Sequence, residues 1–169
     1  MLWQCAYVGL GSNLDDPARQ VRGALAALAG LDRTVLVARS SLYGSRPWGL
    51  TEQPDFVNAV AGLLTRLPVE QFFAQLRELQ GRLGRAPATV RWGPRRIDLD
   101  LLVFDQLMLD TPGLTLPHPG VVSRNFVLYP LGEIAPDLVI AGSGRVSELL
   151  AKLDRTGLWR LDDTEQHGL

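Results

Sequence analysis

The sequence predicts a single α+β domain in which strands and helices follow the order β-α-β-β-α-β. Short apolar runs rich in β-branched residues recur along the first 104 residues, and apolar residues at helical spacing lie between them. Glycine or proline stands at most of the boundaries. The length of 169 residues and the 46% hydrophobic content are sufficient for one domain with a buried core.

Each element has its own signal. Residues 2–10 form an apolar strand that the glycines at 9 and 11 break. Pro17, after two aspartates, is typical of a helix start, and Gly30 ends that helix. Pro68 begins a second helix, which Gly84 closes. The remaining predicted strands are 34–43, 56–65 and 97–104, with loops at 44–54 and 85–96.

This order is the split βαβ pattern, which gives one sheet with helices on one face. Beyond residue 104 we predict a turn at 105–106, a Pro/Gly-rich stretch to 119 and helices near 125–131 and 146–153. Residues 1–160 should form the domain, and residues 161–169 a frayed polar tail.

The composition excludes several classes of protein. Seventeen basic and 18 acidic residues give a net charge of −1, so no whole-chain attraction to nucleic acid or an anionic membrane is expected. Cys5 is the one cysteine, which rules out an intrachain disulfide, and we expect it to be a small buried hydrophobe. With no signal peptide pattern and no apolar run of about 20 residues, we expect a soluble cytoplasmic protein. We also expect it to be a monomer.

Two aspartates at alternate positions are the strongest chemical signal. Asp98 and Asp100 stand two apart in a predicted strand, so their carboxylates project from the same face. The two negative charges repel each other, and together they suit a hard divalent cation such as Mg2+. Two carboxylates on the exposed face of an edge strand would give the same pattern without a metal.

Arginines are concentrated just before these aspartates. Arg85, Arg91, Arg95 and Arg96 lie on the predicted loop that leads into the strand. Guanidinium groups match phosphate oxygens, so an Arg cluster beside a carboxylate pair predicts a metal–polyphosphate site. Ordinary ion pairs on a solvated loop are the alternative.

Three further side chains are candidates on weaker grounds. His118, between two prolines, would be a structural hydrogen-bonding residue or a donor to phosphate. Phe56 and Asn58 share one face of the third strand. They suit either a core aromatic with a turn residue, or stacking on and edge recognition of a flat heterocycle.

Several segments, taken in their order along the chain, resemble those of the 6-hydroxymethyl-7,8-dihydropterin pyrophosphokinase family. The run RWGPRRIDLD at 91–100 is the most specific of them, and the resemblance covers roughly residues 6 to 140. The other matching segments are GSNL at 11–14, SLY at 41–43, PWG at 47–49, QPDFVN at 53–58, GR at 84–85, PHP at 117–119, Arg124 with Phe126, and YPL at 129–131.

The resemblance implies a ferredoxin-like α+β sandwich with a C-terminal extension, and a transfer of pyrophosphate from ATP to the pterin, with AMP as the other product. It implies that Asp98 and Asp100 hold two Mg2+ ions, and that Arg85 and Arg95 act with them in catalysis. The implied ATP-binding residues are Arg91, Trp92, Arg95, Ile97, Leu101, Thr115, His118 and Arg124. The implied pterin-binding residues are Ser45, Pro47, Trp48, Phe56, Asn58 and Phe126.

The chain departs from the family pattern at three positions. Phe56 replaces a tyrosine of some members, Gln80 stands where an acidic residue is expected, and Pro87 replaces a phosphate-binding arginine, so no ATP role is assigned to it. Two other functions stay open on the sequence alone. One is a non-catalytic ferredoxin-like module that binds a small ligand or RNA, and the other is a pterin-binding relative without activity.

Overall fold

Both predicted halves of the domain are present. A computed structural model of the protein describes residues 2–47, 49, 51–84 and 96–161. In chain order the first half contains strand β1 (Gln4–Ser12), helix α1 (Pro17–Leu28), strands β2 (Thr34–Arg39), β3 (Tyr43–Ser45) and β4 (Phe56–Thr65), helix α2 (Val69–Arg82) and strand β5 (Asp98–Phe104).

These strands form one antiparallel sheet. β1 lies in the centre, between β4 and β5. β2 pairs with the second half of β4 and β3 with its first half, so the two short strands together occupy the position of one long strand. The resulting order confirms the ferredoxin-like α+β fold.

One face of the sheet packs against α1 and α2. Alternate residues of β1, namely Ala6, Val8 and Leu10, point to this face and are buried, as expected for a strand with two different faces. Phe72 of α2 meets Phe104 of β5 edge to face, with ring centroids 5.9 Å apart. The helices complete this core with Val21, Leu25, Leu28, Leu76 and Leu79.

The second half of the chain covers part of the other face. It contains strands β6 (Leu109–Thr111) and β7 (Leu114–Leu116), helix α3 (Asn125–Ile134), strands β8 (Val139–Ile140) and β9 (Gly144–Arg145), helix α4 (Val146–Leu150) and strand β10 (Leu158–Arg160). Leu128 and Leu131 of α3 pack against Val60 and Leu102 of the sheet. The two predicted helices therefore cover one face of the sheet, and α3 covers part of the other face.

The last strand returns to the sheet. β10 pairs antiparallel with β3 and lies at the edge of the sheet order β10-β3-β4-β1-β5. Leu161, which the sequence placed in the frayed tail, is buried in the core, and its N–H donates to the carbonyl of Leu42 (3.0 Å). Residues 162–169 lie outside the described part of the chain.

The structure corrects the predicted second strand. Instead of one strand over 34–43 there are two. At the break Ser40 N still donates to the carbonyl of Val60 (2.9 Å), but Val60 N donates to the Ser40 hydroxyl (2.9 Å) in place of a strand carbonyl. Glu133 of α3 holds the chain beyond the break: its carboxylate accepts from Ser41 N (2.5 Å) and from the Tyr43 hydroxyl (3.0 Å). Within β2, an extra residue at Val37 forms a bulge against β4.

Two further predictions about the first strand were wrong. β1 does not break at Gly9 but continues to Ser12, because β4 and β5 pair with it on both sides. Cys5 is exposed, not buried. In the described residues, no helix is both long enough and apolar enough to cross a bilayer.

Candidate functional site

The paired aspartates lie on the edge strand β5. Leu99 and Leu101 of this strand are buried against the helices, so Asp98 and Asp100 point to the opposite face, as predicted. Asp98 is half-buried and Asp100 is exposed. A buried side chain fixes the backbone between them: Gln80 of α2 accepts a hydrogen bond from Leu99 N through Oε1 (2.8 Å).

A glycine separates these carboxylates from the candidate ring-binding residues. In the register of the sheet, Gly11 of β1 pairs with Asn58 of β4 on one side and with Asp98 of β5 on the other. A Cβ on Gly11 would lie 3.4 Å from Asn58 Oδ1 and 4.0 Å from Phe56 Cδ1. Because Gly11 has no side chain, no Cβ fills the space between the amide and the carboxylate, whose strands are roughly 10 Å apart. We call this space over Gly11 the trough.

The amide of Asn58 is oriented by its neighbours. Its Nδ2 donates to Ser45 Oγ (2.8 Å) and to the carbonyl of Tyr43 (3.3 Å). Oδ1 is the atom that faces the trough, and within the described ranges it accepts no hydrogen bond from the protein. Asn58 is 4% exposed, so an acceptor buried in this way favours a ligand with an N–H donor.

The other predicted ring-binding residues lie on β3, on α3 and in the loop after β3. Ser45 is buried and pairs with Phe56 in the sheet. Phe126 lies in the first turn of α3 and packs against the second core cluster. Pro47 is half-buried, and Trp48 lies outside the described residues.

A second depression lies on the other side of β5. It is a cleft of about 290 Å³ between α2, β5 and the β6–β7 hairpin. Among its lining residues, Asp100, Leu101, Thr115 and His118 were predicted from the sequence. Phe73, Arg77 and Gln80 form its helical wall. The sequence singled out Gln80 only as a departure from the family pattern, and it gave none of the three a binding role. Their common helical face resembles any core-facing face, so no pattern distinguishes them.

His118 presents an N–H to this cleft. Its Nδ1 accepts a hydrogen bond from Gly120 N (3.0 Å), so the neutral ring carries its proton on Nε2. The pKa of His118 is lowered, first by burial; nearby Asp100 acts in the opposite direction, and Arg124 lowers the pKa further. The neutral ring is therefore a hydrogen-bond donor without a positive charge at neutral pH.

The turn after His118 also positions Arg124. Arg124 N donates to the carbonyl of Gly120 (3.0 Å), and the Arg124 side chain lies where a Cβ on Gly120 would be. Gly120 thus allows the ring and the guanidinium to be held by one tight turn. Arg124 directly precedes α3, so a positively charged residue stands at the start of that helix.

Of the four arginines predicted at 85–96, the structure describes Arg96 alone. Arg85, Arg91 and Arg95, together with Trp92, lie outside the described residues, so their roles stay predictions. Arg96 has a structural role: its Nη1 donates to the carbonyl of Gly84 (3.0 Å) and its Nε to Asp15 Oδ2 (3.0 Å). It therefore ties together the two ends of the 85–95 segment. The Ile97 side chain is buried in the core, so a contact from it to a nucleotide would be made by its backbone.

Asn13 is a residue whose role the sequence missed. It directly follows β1, is 1% exposed, and its Nδ2 donates to Gln53 Oε1 (2.9 Å) and to the carbonyl of Pro54 (3.0 Å). It thereby fixes the chain that enters β4 two residues before Phe56. Asn13 lies in the GSNL segment at 11–14, but a partner 40 residues away leaves no local signal.

The fold and the site define a class of protein: a small transferase of the kinase type on a ferredoxin-like sheet. The chain belongs to the 7,8-dihydro-6-hydroxymethylpterin-pyrophosphokinase family, whose sequence profile matches residues 7–136. It is an ATP-dependent diphosphokinase, and the transfer of pyrophosphate to 6-hydroxymethyl-7,8-dihydropterin belongs to folate biosynthesis.

Curated relatives carry the name 2-amino-4-hydroxy-6-hydroxymethyldihydropteridine pyrophosphokinase. The protein from Pseudomonas aeruginosa is 45% identical over 158 residues, which cover 94% of this chain and 97% of the relative. The protein from Methylorubrum extorquens is 44% identical, with 93% and 98% covered. The protein from Haemophilus influenzae is 42% identical, with 86% and 90% covered.

Solved structures with the same fold are larger. A crystal structure of HPPK-DHPS in complex with substrates matches with a TM-score of 0.72 at 11% identity, over 95% of this chain and 47% of that one. Wild-type HPPK-DHPS of Plasmodium falciparum matches with a TM-score of 0.66 at 12% identity, over 89% and 45%. This chain therefore spans about half the length of those structures, and at such low identity the likeness supports the fold.

Proposed function

We propose that the trough and the cleft are the two substrate sites of this transfer. The pterin would lie in the trough over Gly11, with an N–H of its ring edge donating to Asn58 Oδ1. ATP would lie in the cleft beside His118 and Asp100. The proposal rests on the row Asn58–Gly11–Asp98 across the sheet. In this row the buried acceptor Asn58 Oδ1 lies on one side of Gly11, and the Asp98 carboxylate lies on the other side, towards the cleft.

The carboxylates of Asp98 and Asp100 fit Mg2+. Both are oxygen donors on one strand face, and oxygen is what Mg2+ prefers. Within the described residues, no group of three or more His, Cys, Asp or Glu side chains could hold a metal, so phosphate oxygens and water would complete the coordination. Bound there, two Mg2+ ions would neutralise charge on the polyphosphate.

The protein's own groups act mainly by positioning. In a direct in-line transfer, the pterin hydroxyl oxygen forms a bond to the β-phosphorus of ATP, and the bond from that phosphorus to the α-phosphate oxygen breaks. AMP leaves with that oxygen, and the hydroxyl proton is released to solvent. Asn58 orients the ring, and Phe56 and Phe126 are the proposed stacking partners. The Nε2–H of His118 and the guanidinium of Arg124 would hold phosphate oxygens. Such alignment and charge stabilisation lower the barrier without covalent participation of the protein.

The direct test is a product assay. The protein is incubated with ATP, Mg2+ and 6-hydroxymethyl-7,8-dihydropterin, and we expect AMP and the pterin diphosphate in equal amounts. Removal of the metal with a chelator should stop the reaction, and added Mg2+ should restore it. ADP as the nucleotide product, or binding of pterin without turnover, would contradict the proposal. A monomeric state and a cytoplasmic location remain predictions, and gel filtration tests the first.

A further inference from the structure

The C-terminal segment 153–161 contacts the helix that carries Phe126. Asn125 Nδ2 donates to the carbonyls of Asp154 and Thr156, each at 3.0 Å. The Tyr129 hydroxyl donates to the carbonyl of Leu153 (2.7 Å). These two residues flank Phe126 on α3, so its N-terminal turn is held by the C-terminal segment.

The same segment contacts the strand that carries Ser45. β10 pairs with all three residues of β3, and the ladder continues where Arg46 N donates to the carbonyl of Gly157 (3.0 Å). Ser45 in turn accepts the hydrogen bond that orients the Asn58 amide. Segment 153–161 therefore contacts both α3, which carries Phe126, and β3, which carries Ser45. It lies beyond the residues that the family profile matches.

Trp159 fixes β10 on β3. It pairs with Gly44, and its indole ring occupies the space where a Cβ on residue 44 would be. The ring is 37% exposed and lies outside both core clusters, so it is not needed to fill the interior. A strand of three residues at a sheet edge is marginal by itself, and the indole on Gly44 supplies apolar contact that the short ladder lacks.

The opposite end of α3 has an attachment of its own. Glu133 holds that end to the chain at Ser41 and Tyr43, and its carboxylate also lies 4.0 Å from the Arg160 guanidinium of β10. Without the C-terminal contacts, α3 would keep the Glu133 hydrogen bonds, while its first turn, with Phe126, would lose the hydrogen bonds of Asn125 and Tyr129. The distance between Phe126 and the Ser45–Asn58 wall therefore depends on segment 153–161.

We propose that Trp159 is a positioning residue for the pterin, which it serves by clamping β10 on Gly44. The clamp holds α3, with the proposed stacking residue Phe126, in register with Ser45 and Asn58. The inference rests on the proposed function, because it takes the trough to be the pterin site. Trp159 contacts neither substrate in this arrangement. Its effect should appear in pterin binding and leave the nucleotide cleft, which α2, β5 and the β6–β7 hairpin form, unchanged.

The test is a comparison of Trp159→Ala with Trp159→Phe and Trp3→Ala. For Trp159→Ala we expect KM for the pterin to rise about tenfold or more, as displaced binding groups do, with KM for ATP unchanged within about twofold. Trp159→Phe should restore most of the loss, since a ring can still cover Gly44. Trp3 directly precedes β1, at the end of that strand away from Gly11, and is 47% exposed. Trp3→Ala therefore controls for the loss of a surface indole.

Asn125→Ala provides a second route if Trp159→Ala does not fold. It removes the two hydrogen bonds to 154 and 156 and should give the same selective rise in KM for the pterin. A lowered melting temperature with an unchanged KM for the pterin, or equal rises in both KM values, would overturn the inference. A wild-type protein that forms no AMP would instead refute the proposed function, so the two failures are distinguishable.

Discussion

Asn58 and Asp98 lie on opposite sides of Gly11, each on a strand that pairs with β1. The amide acceptor and the carboxylate are thus held at a fixed spacing by the sheet itself. No loop has to move to bring them into one row. A side chain at residue 11 would stand between them.

Gly11→Ala should therefore weaken the pterin site with little effect on the fold. The new methyl group would meet Asn58 Oδ1 at 3.4 Å, an ordinary contact that the strand tolerates. It would nevertheless occupy the floor of the trough, and we expect a loss of about 1–3 kcal/mol in pterin binding, the usual size of overpacking effects. Titration calorimetry with the pterin and an unreactive ATP analogue measures this loss.

Gly9→Ala is the matched control on the same strand. Its Cβ would contact Leu102 at 3.4 Å instead of the trough. We expect pterin affinity to be retained and only the melting temperature to change. Equal effects of the two substitutions on pterin binding would show that the trough is not the site.

Asp98→Asn should abolish turnover while the protein stays folded. The amide has nearly the same shape, but it lacks the charge that a divalent cation needs. The loss should be several kcal/mol of transition-state stabilisation, of the order that a metal contributes. AMP formation at saturating substrates measures it, and circular dichroism checks the fold. Asp137→Asn, at a carboxylate that is 89% exposed, should retain full activity, whereas an active Asp98→Asn protein would contradict the metal site.

Gln80→Leu should destabilise the protein through a backbone group. The substitution removes the acceptor of Leu99 N–H in a buried position, and an unsatisfied buried donor costs about 1–3 kcal/mol. Urea unfolding measures this change in the free energy of unfolding. Gln71→Leu on the exposed side of the same helix should change stability much less. Because Leu99 lies between the two aspartates, Mg2+ affinity should fall as well.

His118 should make stability dependent on pH on the acidic side. Burial lowers its pKa in the folded protein below the unfolded value of about 6.5, so the unfolded chain binds a proton first as the pH falls. The stabilisation is complete above about pH 6.5 and decreases below it, down to the folded pKa. Unfolding free energies measured across this range should fall more steeply for the wild type than for His118→Gln. A parallel decline in both proteins would contradict the lowered pKa.

Much of the fold could be predicted because its signals are local. The alternation in β5 placed Asp98 and Asp100 on one face, and the helical spacing of Phe72, Leu76 and Leu79 placed α2 on the core. The break between β2 and β3 could not be predicted, since it depends on Glu133, about 90 residues away. The exposure of Cys5 was missed for a related reason: an apolar run does not reveal where a covering helix ends.

The candidate site residues could be selected by residue type, because metals, ring edges and phosphates each need particular groups. The carboxylates, Asn58 and His118 were selected in this way, and their binding roles stay predictions. The orientation of the Asn58 amide and the tautomer of His118 depend on Ser45 and Gly120, and these partners become visible only in the folded chain. β10 was missed because three residues are too few for a periodic signal.

The bulge at Val37 also affects how the protein meets other copies of itself. On the side away from β4, no described strand pairs with β2, and Val35 and Val37 are about half exposed. A straight strand with these features would be a template for intermolecular pairing and aggregation. The extra residue interrupts the regular spacing of donors and acceptors along that edge. Arg39 at the end of the strand adds a charge that an incoming apolar strand would have to desolvate. The irregular edge strand is thus a poor template for strand pairing at the open border of the sheet.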